Sequence, residues 1–281
     1  MTVFTTRFAP SPTGYLHLGH AASALAVWQA AQAENGKVLL RIEDIDQTRC
    51  RPEYDAAILE DLDWLGLEWH GGIRRQSEHF SDYARVLDTL REKGLLYRCF
   101  RTRKEVMAEI GRAPHAPAVA FTGGQISARE EEAKLAEGMP YAWRLSLARA
   151  RNVLGADYET LGYCERSPDA DTFVKAAPER HGDVVLARKD TPASYHLAVT
   201  HDDALQGITH IVRGEDLRES THIHVLLQAL MNWPRPIYSH HALMVDETGK
   251  RYAKRDKSMT LQAMRATGAT PEAIRQQVDG L

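Results

Sequence analysis

The N-terminal part of the chain combines short apolar runs with apolar positions at helical spacing. An extended, mostly apolar start leads into an Ala-rich run with Leu25, Trp28 and Ala31 on one face. Gly36 follows this run and predicts its C-terminal end, because glycine readily adopts the left-handed conformation that closes helices. The next segment, 38–42, is a short apolar run that predicts a buried strand. Together these segments predict a βαβ unit.

The rest of the chain predicts scaffold helices, then a break, then a return to alternation. Two amphipathic series, which end at Gly66 and Gly94, predict helices. A less regular tract follows them. Apolar runs at 183–188, 195–199 and 208–217 then predict strands, the last with its loop. This order indicates an α/β fold that is interrupted by an insertion and then resumes.

Composition narrows the class of protein. The chain has 281 residues, of which 43% are hydrophobic and 26% charged, as in ordinary soluble globular proteins. Its net charge of −3 excludes a bulk polycation, so any RNA contact must use local basic patches. Three widely spaced cysteines, Cys50, Cys99 and Cys164, indicate reduced thiols. Because neither a signal peptide nor a membrane span is apparent, we expect a cytoplasmic protein with no membrane partner.

The stretch 7–20 joins a tight turn to the start of a helix. Prolines and a glycine at 10–14 prevent a helix there and place His17 and His20 near the first helical turn. A helix N-terminus attracts phosphate through its N–H groups and dipole, and two imidazoles would add donors. Gly19 would allow close approach of the ligand to the backbone. On its own, however, a His-x-x-His pair more often consists of exposed side chains.

Two separated motifs together resemble a known family. The stretch 7–20, R-F-A-P-S-P-T-G-Y-L-H-L-G-H, resembles the ATP-binding signature of class I aminoacyl-tRNA synthetases of the glutamyl and glutaminyl branch. Near the other end, 249–256 resembles the K-M-S-K-S loop of the same class, with Arg251 at the first lysine and Ala253 at the serine. Lys254 matches the second lysine, which is expected to stabilise the transition state. This resemblance implies that His17, His20 and Lys254 are catalytic, and that Gly19 and Arg251 also contact ATP.

The resemblance implies a fold and its division. We expect a Rossmann-like class I synthetase catalytic domain with an inserted α+β subdomain and a short helical C-terminal segment. The predicted units are 1–95 and 181–235 for the two halves of the catalytic domain, 96–180 for the insertion, and 236–281 for the signature loop and two short helices. In related synthetases the insertion holds the acceptor end of tRNA.

The resemblance also implies a pocket for glutamate. Glu43 follows a predicted strand, and its carboxylate could hold an ammonium group at the edge of a parallel sheet. Tyr195 and Arg213 lie in segments that resemble those that close over the amino acid. Arginine suits carboxylate recognition, although Arg213 could instead pair with a nearby acidic residue. We expect Arg213 to face the side-chain carboxylate. The predicted glutamate-binding residues are Arg7, Phe8, Ala9, Pro10, Ser11, Glu43, Tyr195 and Arg213.

Metal chemistry is expected only with the nucleotide, as Mg²⁺ bound to ATP. Bacterial relatives often carry zinc in the insertion, with a Cys-x-Cys pair among the ligands. Here Cys99 is followed by Phe100 and Arg101, and the remaining candidates, His115 and Cys164, fit no zinc spacing. We therefore predict no structural zinc.

The resemblance extends over essentially the whole chain, and it implies a particular acceptor. Little sequence follows Arg255, so we expect no anticodon-binding region. The chain thus resembles the truncated paralogues of glutamyl-tRNA synthetase. These make glutamyl-adenylate from glutamate and ATP and pass glutamate to queuosine at the wobble position of tRNA(Asp). One alternative is a compact synthetase that charges a tRNA 3′ end, and another is an inactive module that binds tRNA or nucleotide. We expect a monomer.

Overall fold

The computed structural model describes residues 3–102, 104–106, 120–188, 191–244 and 259–279. These residues form a mixture of helices and strands. The strands are β1 Thr5–Phe8, β2 Lys37–Ile42, β3 Arg74–Arg75, β4 Leu96–Cys99, β5 Ala142–Leu145, β6 Gly162–Arg166, β7 Asp171–Lys175, β8 Val185–Arg188, β9 His210–Gly214 and β10 Ile237–His241. The helices are α1 Leu18–Ala33, α2 Pro52–Trp64, α3 Phe80–Glu92, α4 Ala128–Ala136, α5 Leu147–Leu154, α6 Ala156–Glu159, α7 Tyr195–Leu205, α8 Thr221–Met231, α9 Leu261–Ala266 and α10 Pro271–Asp279.

Parallel strands from both halves of the chain form the centre of the molecule. β1, β2 and β3 pair in that order, and both pairings are parallel. β10 pairs in parallel with β9 on one side and with β6 on the other. The amide of Thr209 donates to the carbonyl of Thr5 at 2.9 Å, which places β9 beside β1. Together with the predicted βαβ unit, this arrangement confirms the α/β, Rossmann-like fold class.

The predicted insertion contributes strands to two sheets. β4, β5 and β8 form a small antiparallel sheet, and β8 lies beyond the predicted boundary at residue 180. The hairpin of β6 and β7 instead extends the sheet of β9 and β10. The insertion is therefore joined to the second half of the chain by backbone pairing. The division into 1–95, 96–180, 181–235 and 236–281 stays a prediction.

Segment 195–199 is helical, so the strand predicted there is wrong. It forms the first turns of α7, where the Ser194 hydroxyl accepts a hydrogen bond from the Leu197 amide at 3.3 Å. A short apolar run does not distinguish a buried strand from a buried helix. The serine just before the run was the signal for a helix start.

The end of α1 also differs in detail from the sequence prediction. The left-handed residue is Asn35, with φ 47°, rather than Gly36. Gly36 is needed for a different reason, because a Cβ atom there would lie 2.6 Å from the carbonyl oxygen of Phe4. The glycine therefore allows the return from α1 to pass directly over β1.

The two predicted C-terminal helices are present as α9 and α10. Ile274 of α10 is almost fully buried in the core cluster that also contains residues of α1 and α2. Arg275 donates a hydrogen bond to the carbonyl of Leu65, just past α2. The C-terminal segment thus packs on the N-terminal part of the fold. Within the described residues, every helix is too short or too polar to cross a membrane.

We predict that Gly36→Ala lowers the free energy of unfolding by about 1–3 kcal/mol, because the added methyl group overpacks the contact with Phe4. Gly72→Ala is the matched control, since Gly72 has no positive φ and a Cβ there meets nothing within 4 Å. Denaturant unfolding of the two variants measures the difference. Equal stability of both variants would contradict the packing argument.

Candidate active site

A cavity of about 450 Å³ lies where β1, β2 and β9 end. Its walls come from both halves of the chain, as expected for a ligand site at the carboxyl edge of a parallel sheet. Nine of the residues predicted from sequence line it: Arg7, Phe8, Ala9, His17, Gly19, His20, Glu43, Tyr195 and Arg213. Residues that sequence reasoning did not select also contribute, among them Ser23, Asp216 and His241.

His17 and His20 form the N-terminal cap of α1. The Gly19 amide donates to Nδ1 of His17 at 3.1 Å, and the His17 amide donates to Nδ1 of His20 at 3.2 Å. Because both Nδ1 atoms accept, the proton of each neutral ring is on Nε2. The two rings, 3.8 Å apart between centroids, therefore place N–H donors at a helix N-terminus that lines the cavity. This combination suits a phosphate group.

A buried carboxylate joins segments that lie far apart in the sequence. Asp203 of α7 accepts from Nε of Arg7 at 3.0 Å and from the guanidinium of Arg41 at 2.9 Å. Arg41 also lies 3.4 Å from Glu43. Although burial alone would lower the pKa of Arg41, the carboxylates of Asp203 and Glu43 raise it above its ordinary value. These ion pairs fix Arg7 and Glu43 at the edge of the cavity.

The guanidinium of Arg213 is buried among neutral groups. Its Nε donates to Nε2 of His240 at 3.2 Å, and its terminal nitrogens reach Thr221 at 2.6 Å and the Tyr195 hydroxyl at 3.4 Å. It also lies 3.4 Å from Nδ1 of His224 and 5.3 Å from the centre of the Tyr238 ring. Within the described part of the chain, no carboxylate lies within 4.0 Å of this guanidinium. The cavity thus contains a buried positive charge whose hydrogen-bond partners in the described residues are uncharged.

The histidines around Arg213 are held neutral. Burial, together with the charge of Arg213, lowers the pKa of His240 to about 3. Burial likewise lowers the pKa of His224 well below its ordinary value. Since Nε2 of His240 accepts from Arg213, its Nδ1 carries the proton and donates to Glu165 at 2.9 Å. Glu165 of β6 therefore helps to orient Arg213 through His240.

Glu43 supplies a negative charge to the cavity that Arg7 and Arg213 also line. Its side chain is only 11% exposed and lines the cavity. Burial raises the pKa of Glu43 above its ordinary value, and the charges of Arg41 and Arg7 oppose this only in part. A bound ammonium group would stabilise the carboxylate form further.

A second cavity, of about 320 Å³, adjoins the first. Glu43 and Tyr195 line both cavities. Ser11, which we expected in the glutamate pocket, lines this second cavity instead. Pro10 lies in neither lining. It is buried and accepts a hydrogen bond from the Glu43 amide at 3.0 Å, so its contact with the site is through the backbone.

The second signature cannot be placed, because Arg251 and Lys254 lie outside the described residues. The described residues on either side of the signature can be placed. Met244 lines the first cavity. Thr260 forms a β-bridge with His17, and the Leu261 amide donates to the carbonyl of Leu16 at 2.9 Å. The described residues that flank the signature therefore lie beside the cavity.

Metal-ligating residues do not cluster in the described part of the chain, where no group of three or more His, Cys, Asp or Glu side chains could hold a metal ion. Cys99 is buried and Cys164 is half-buried. His115 lies outside the described residues. The absence of structural zinc therefore stays a prediction.

Comparison with known proteins identifies the family. Residues 3–279 match a protein family described as tRNA synthetases class I (E and Q), catalytic domain. The chain belongs to this family. It is therefore an enzyme of the aminoacyl-tRNA synthetase ligase type, which uses ATP, and the resemblance stated from the two signatures is confirmed.

Relatives of this synthetase fall into two groups. A glutamyl-Q tRNA(Asp) synthetase of Rhodobacter capsulatus is 43% identical, over 97% of this chain and 99% of that protein. A glutamate–tRNA ligase of Coprothermobacter proteolyticus is 36% identical over 97% of this chain, but only 57% of that protein is covered. The crystal structure of the glutamate-tRNA synthetase from Elizabethkingia anophelis superposes with a TM-score of 0.78 at 28% identity, covering 99% of this chain and 61% of that one. The chain thus spans about 60% of the full-length glutamate synthetases.

Sequence reasoning missed the residues that hold the synthetase site together, chiefly Arg41, Asp203, His240 and Glu165. One signal was available. Arg41 interrupts an otherwise apolar strand, and a charge buried in a strand requires a partner. Nothing in the sequence identified Asp203 as that partner, because it lies far away along the chain.

We predict that Asp203→Asn lowers the free energy of unfolding by about 3–5 kcal/mol, because it leaves the buried charges of Arg7 and Arg41 without their shared carboxylate. Asp171→Asn is the matched control. It breaks an exposed pair with Arg166, which should leave the stability almost unchanged. Urea unfolding followed by circular dichroism compares the two. A loss below about 1 kcal/mol for Asp203→Asn would contradict the role assigned to this carboxylate.

Proposed function

We propose that this synthetase activates L-glutamate with ATP and transfers it to queuosine at the wobble position of tRNA(Asp). The charge arrangement of the first cavity carries the proposal. Arg213 offers a desolvated guanidinium with uncharged partners, and Glu43 offers a carboxylate in the same cavity. A dicarboxylic amino acid has the complementary charges. The relative from Rhodobacter capsulatus, similar over 97% of this chain and 99% of its own, carries the name of this activity.

In the first step, the α-carboxylate of glutamate attacks the α-phosphate of ATP, and pyrophosphate leaves as glutamyl-adenylate forms. This chemistry requires alignment and charge stabilisation rather than a covalent nucleophile. The Nε2–H groups of His17 and His20 would donate to phosphate oxygens at the start of α1. By resemblance, Lys254 would stabilise the transition state, and Arg251 and Gly19 would contact ATP.

Mg²⁺ would accompany ATP and share the charge of its phosphates. The cavity offers the carboxylate of Asp216, since that of Glu43 is assigned to the ammonium group of glutamate. This donor set fits a metal that is held mainly by phosphate oxygens and water, as Mg²⁺ usually is at nucleotide sites.

In the second step, a hydroxyl of the RNA attacks the carbonyl carbon of the adenylate, and AMP leaves. The second cavity is a suitable place for the acceptor nucleoside, because it shares Glu43 and Tyr195 with the first. The acceptor proposed here is the cyclopentenediol of queuosine in tRNA(Asp). We further propose that the enzyme acts as a monomer in the cytoplasm.

A comparison of acceptors tests the proposal most sharply. The enzyme is given ATP and radiolabelled glutamate with queuosine-bearing tRNA(Asp), with unmodified tRNA(Asp), or with tRNA(Glu). We expect glutamate to be incorporated only into queuosine-bearing tRNA(Asp), because the other two RNAs lack the cyclopentenediol.

Two other outcomes distinguish the alternatives. Charging of tRNA(Glu) at its 3′ end would favour a compact glutamyl-tRNA synthetase, the activity named for several relatives that are 36% identical to this chain. Absence of glutamate-dependent pyrophosphate exchange at saturating ATP would indicate a module that only binds tRNA or nucleotide.

We predict that Arg213→Ala raises the Michaelis constant for glutamate about 30-fold or more, because a buried carboxylate–guanidinium pair is lost. The Michaelis constant for ATP should change less than about threefold. Pyrophosphate exchange measures both constants. Arg166→Ala, which removes a partly exposed arginine of the same sheet, is the control. A normal constant for glutamate in Arg213→Ala would remove this residue from the pocket.

A further inference from the structure

A third cavity, of about 390 Å³, lies on the antiparallel sheet of β4, β5 and β8. Its walls are formed by Tyr141 and Trp143 of the β5 region, by Leu135 of α4 and by the loop 138–140 that connects them. Arg188 at the end of β8 supplies the one charged side chain among its lining residues. The cavity is therefore aromatic and cationic.

The aromatic rings of this cavity are held in fixed positions. The Tyr141 and Trp143 rings contact each other edge to face, with centroids 5.5 Å apart. The guanidinium of Arg98 lies 4.6 Å from the centre of the Trp143 ring and 5.2 Å from that of Tyr141. Arg98 is itself paired with Glu131 of α4. A rigid aromatic surface loses little conformational entropy when a flat ligand stacks on it.

The aromatic cavity continues the series of cavities that starts at the active site. Arg188 lines both this cavity and the second one, and the second shares Glu43 and Tyr195 with the first. A strand of RNA whose reacting nucleoside occupies the second cavity would thus pass Arg188 and reach Tyr141 and Trp143. The cation is placed for a backbone phosphate and the rings for a base.

We propose that the aromatic cavity binds an unstacked nucleobase of the substrate RNA, next to the nucleoside that accepts glutamate. This inference rests on the proposed function for the identity of the RNA. Proteins recognise single-stranded RNA by stacking bases on aromatic side chains beside basic residues, and anticodon loops present such bases. The site is a binding site for RNA and takes no part in glutamate activation.

Two assays on the full-length chain test this proposal. One measures the affinity of a fluorescently labelled anticodon stem-loop of tRNA(Asp) carrying queuosine, and of a labelled minihelix ending in CCA. The other measures glutamate-dependent pyrophosphate exchange without RNA. We expect Trp143→Ala and Tyr141→Ala to weaken binding of the stem-loop about tenfold or more, and to leave exchange unchanged within about twofold. Trp143→Phe, which keeps a ring, should retain most of the affinity.

Phe173→Ala is the matched control, because Phe173 is an aromatic residue of β7 that is 69% exposed and lies outside this cavity. Unchanged RNA binding in Trp143→Ala and Tyr141→Ala, or equal weakening in Phe173→Ala, would overturn the proposal. Loss of exchange in the cavity variants would also overturn it, since the residues would then act on the catalytic domain itself.

The two proposals can fail separately. If the minihelix, rather than the stem-loop, binds and depends on Trp143, the aromatic cavity stands and the proposed acceptor is wrong. If the stem-loop binds and accepts glutamate without any dependence on Trp143 or Tyr141, the acceptor stands and the base-binding site is wrong.

Discussion

The site depends on which partners surround three buried arginines, Arg7, Arg41 and Arg213. Arg7 and Arg41 share the carboxylate of Asp203, whereas Arg213 is surrounded by neutral histidine, tyrosine and threonine side chains. A buried charge is costly unless it is paired, so the first two ion pairs hold the halves of the catalytic domain together. The third charge has no carboxylate partner in the described part of the chain. We propose that the carboxylate of a ligand is its partner, and this difference distinguishes the proposed pocket from the rest of the core.

The two histidines at the start of α1 both cap this helix and line the cavity. His17 and His20 serve as the N-terminal cap of α1, and this use of both Nδ1 atoms directs the remaining N–H groups away from the helix. The arrangement that caps the helix is therefore also the one that we propose for phosphate binding. The backbone pairing of Thr260 with His17 brings the C-terminal segment to the same place. Segments from the N-terminal and C-terminal parts of the chain thus meet where the nucleotide is proposed to bind.

Local patterns predicted the parts of this molecule that depend on neighbouring residues. The βαβ unit, the helix start at His17 and the C-terminal helices follow from turns, caps and apolar spacing. The helix at Tyr195 was misread as a strand because its first residues form a short apolar run. The charge partners of Arg41 and Arg213 could not be predicted, because these contacts join segments far apart in the sequence. The motif resemblance predicted that Glu43 and Arg213 lie in one pocket. Only the structure reveals which arginine is already paired with a carboxylate of the protein.

Calorimetric titration of the enzyme with glutamate and with glutamine tests whether Arg213 pairs with the side-chain carboxylate of the substrate. The two ligands have nearly the same shape, and only glutamate brings a side-chain carboxylate to the uncompensated guanidinium of Arg213. We expect glutamate to bind about 30-fold or more tightly than glutamine, because glutamine would leave the buried charge of Arg213 unpaired. Equal affinity for the two amino acids would contradict it.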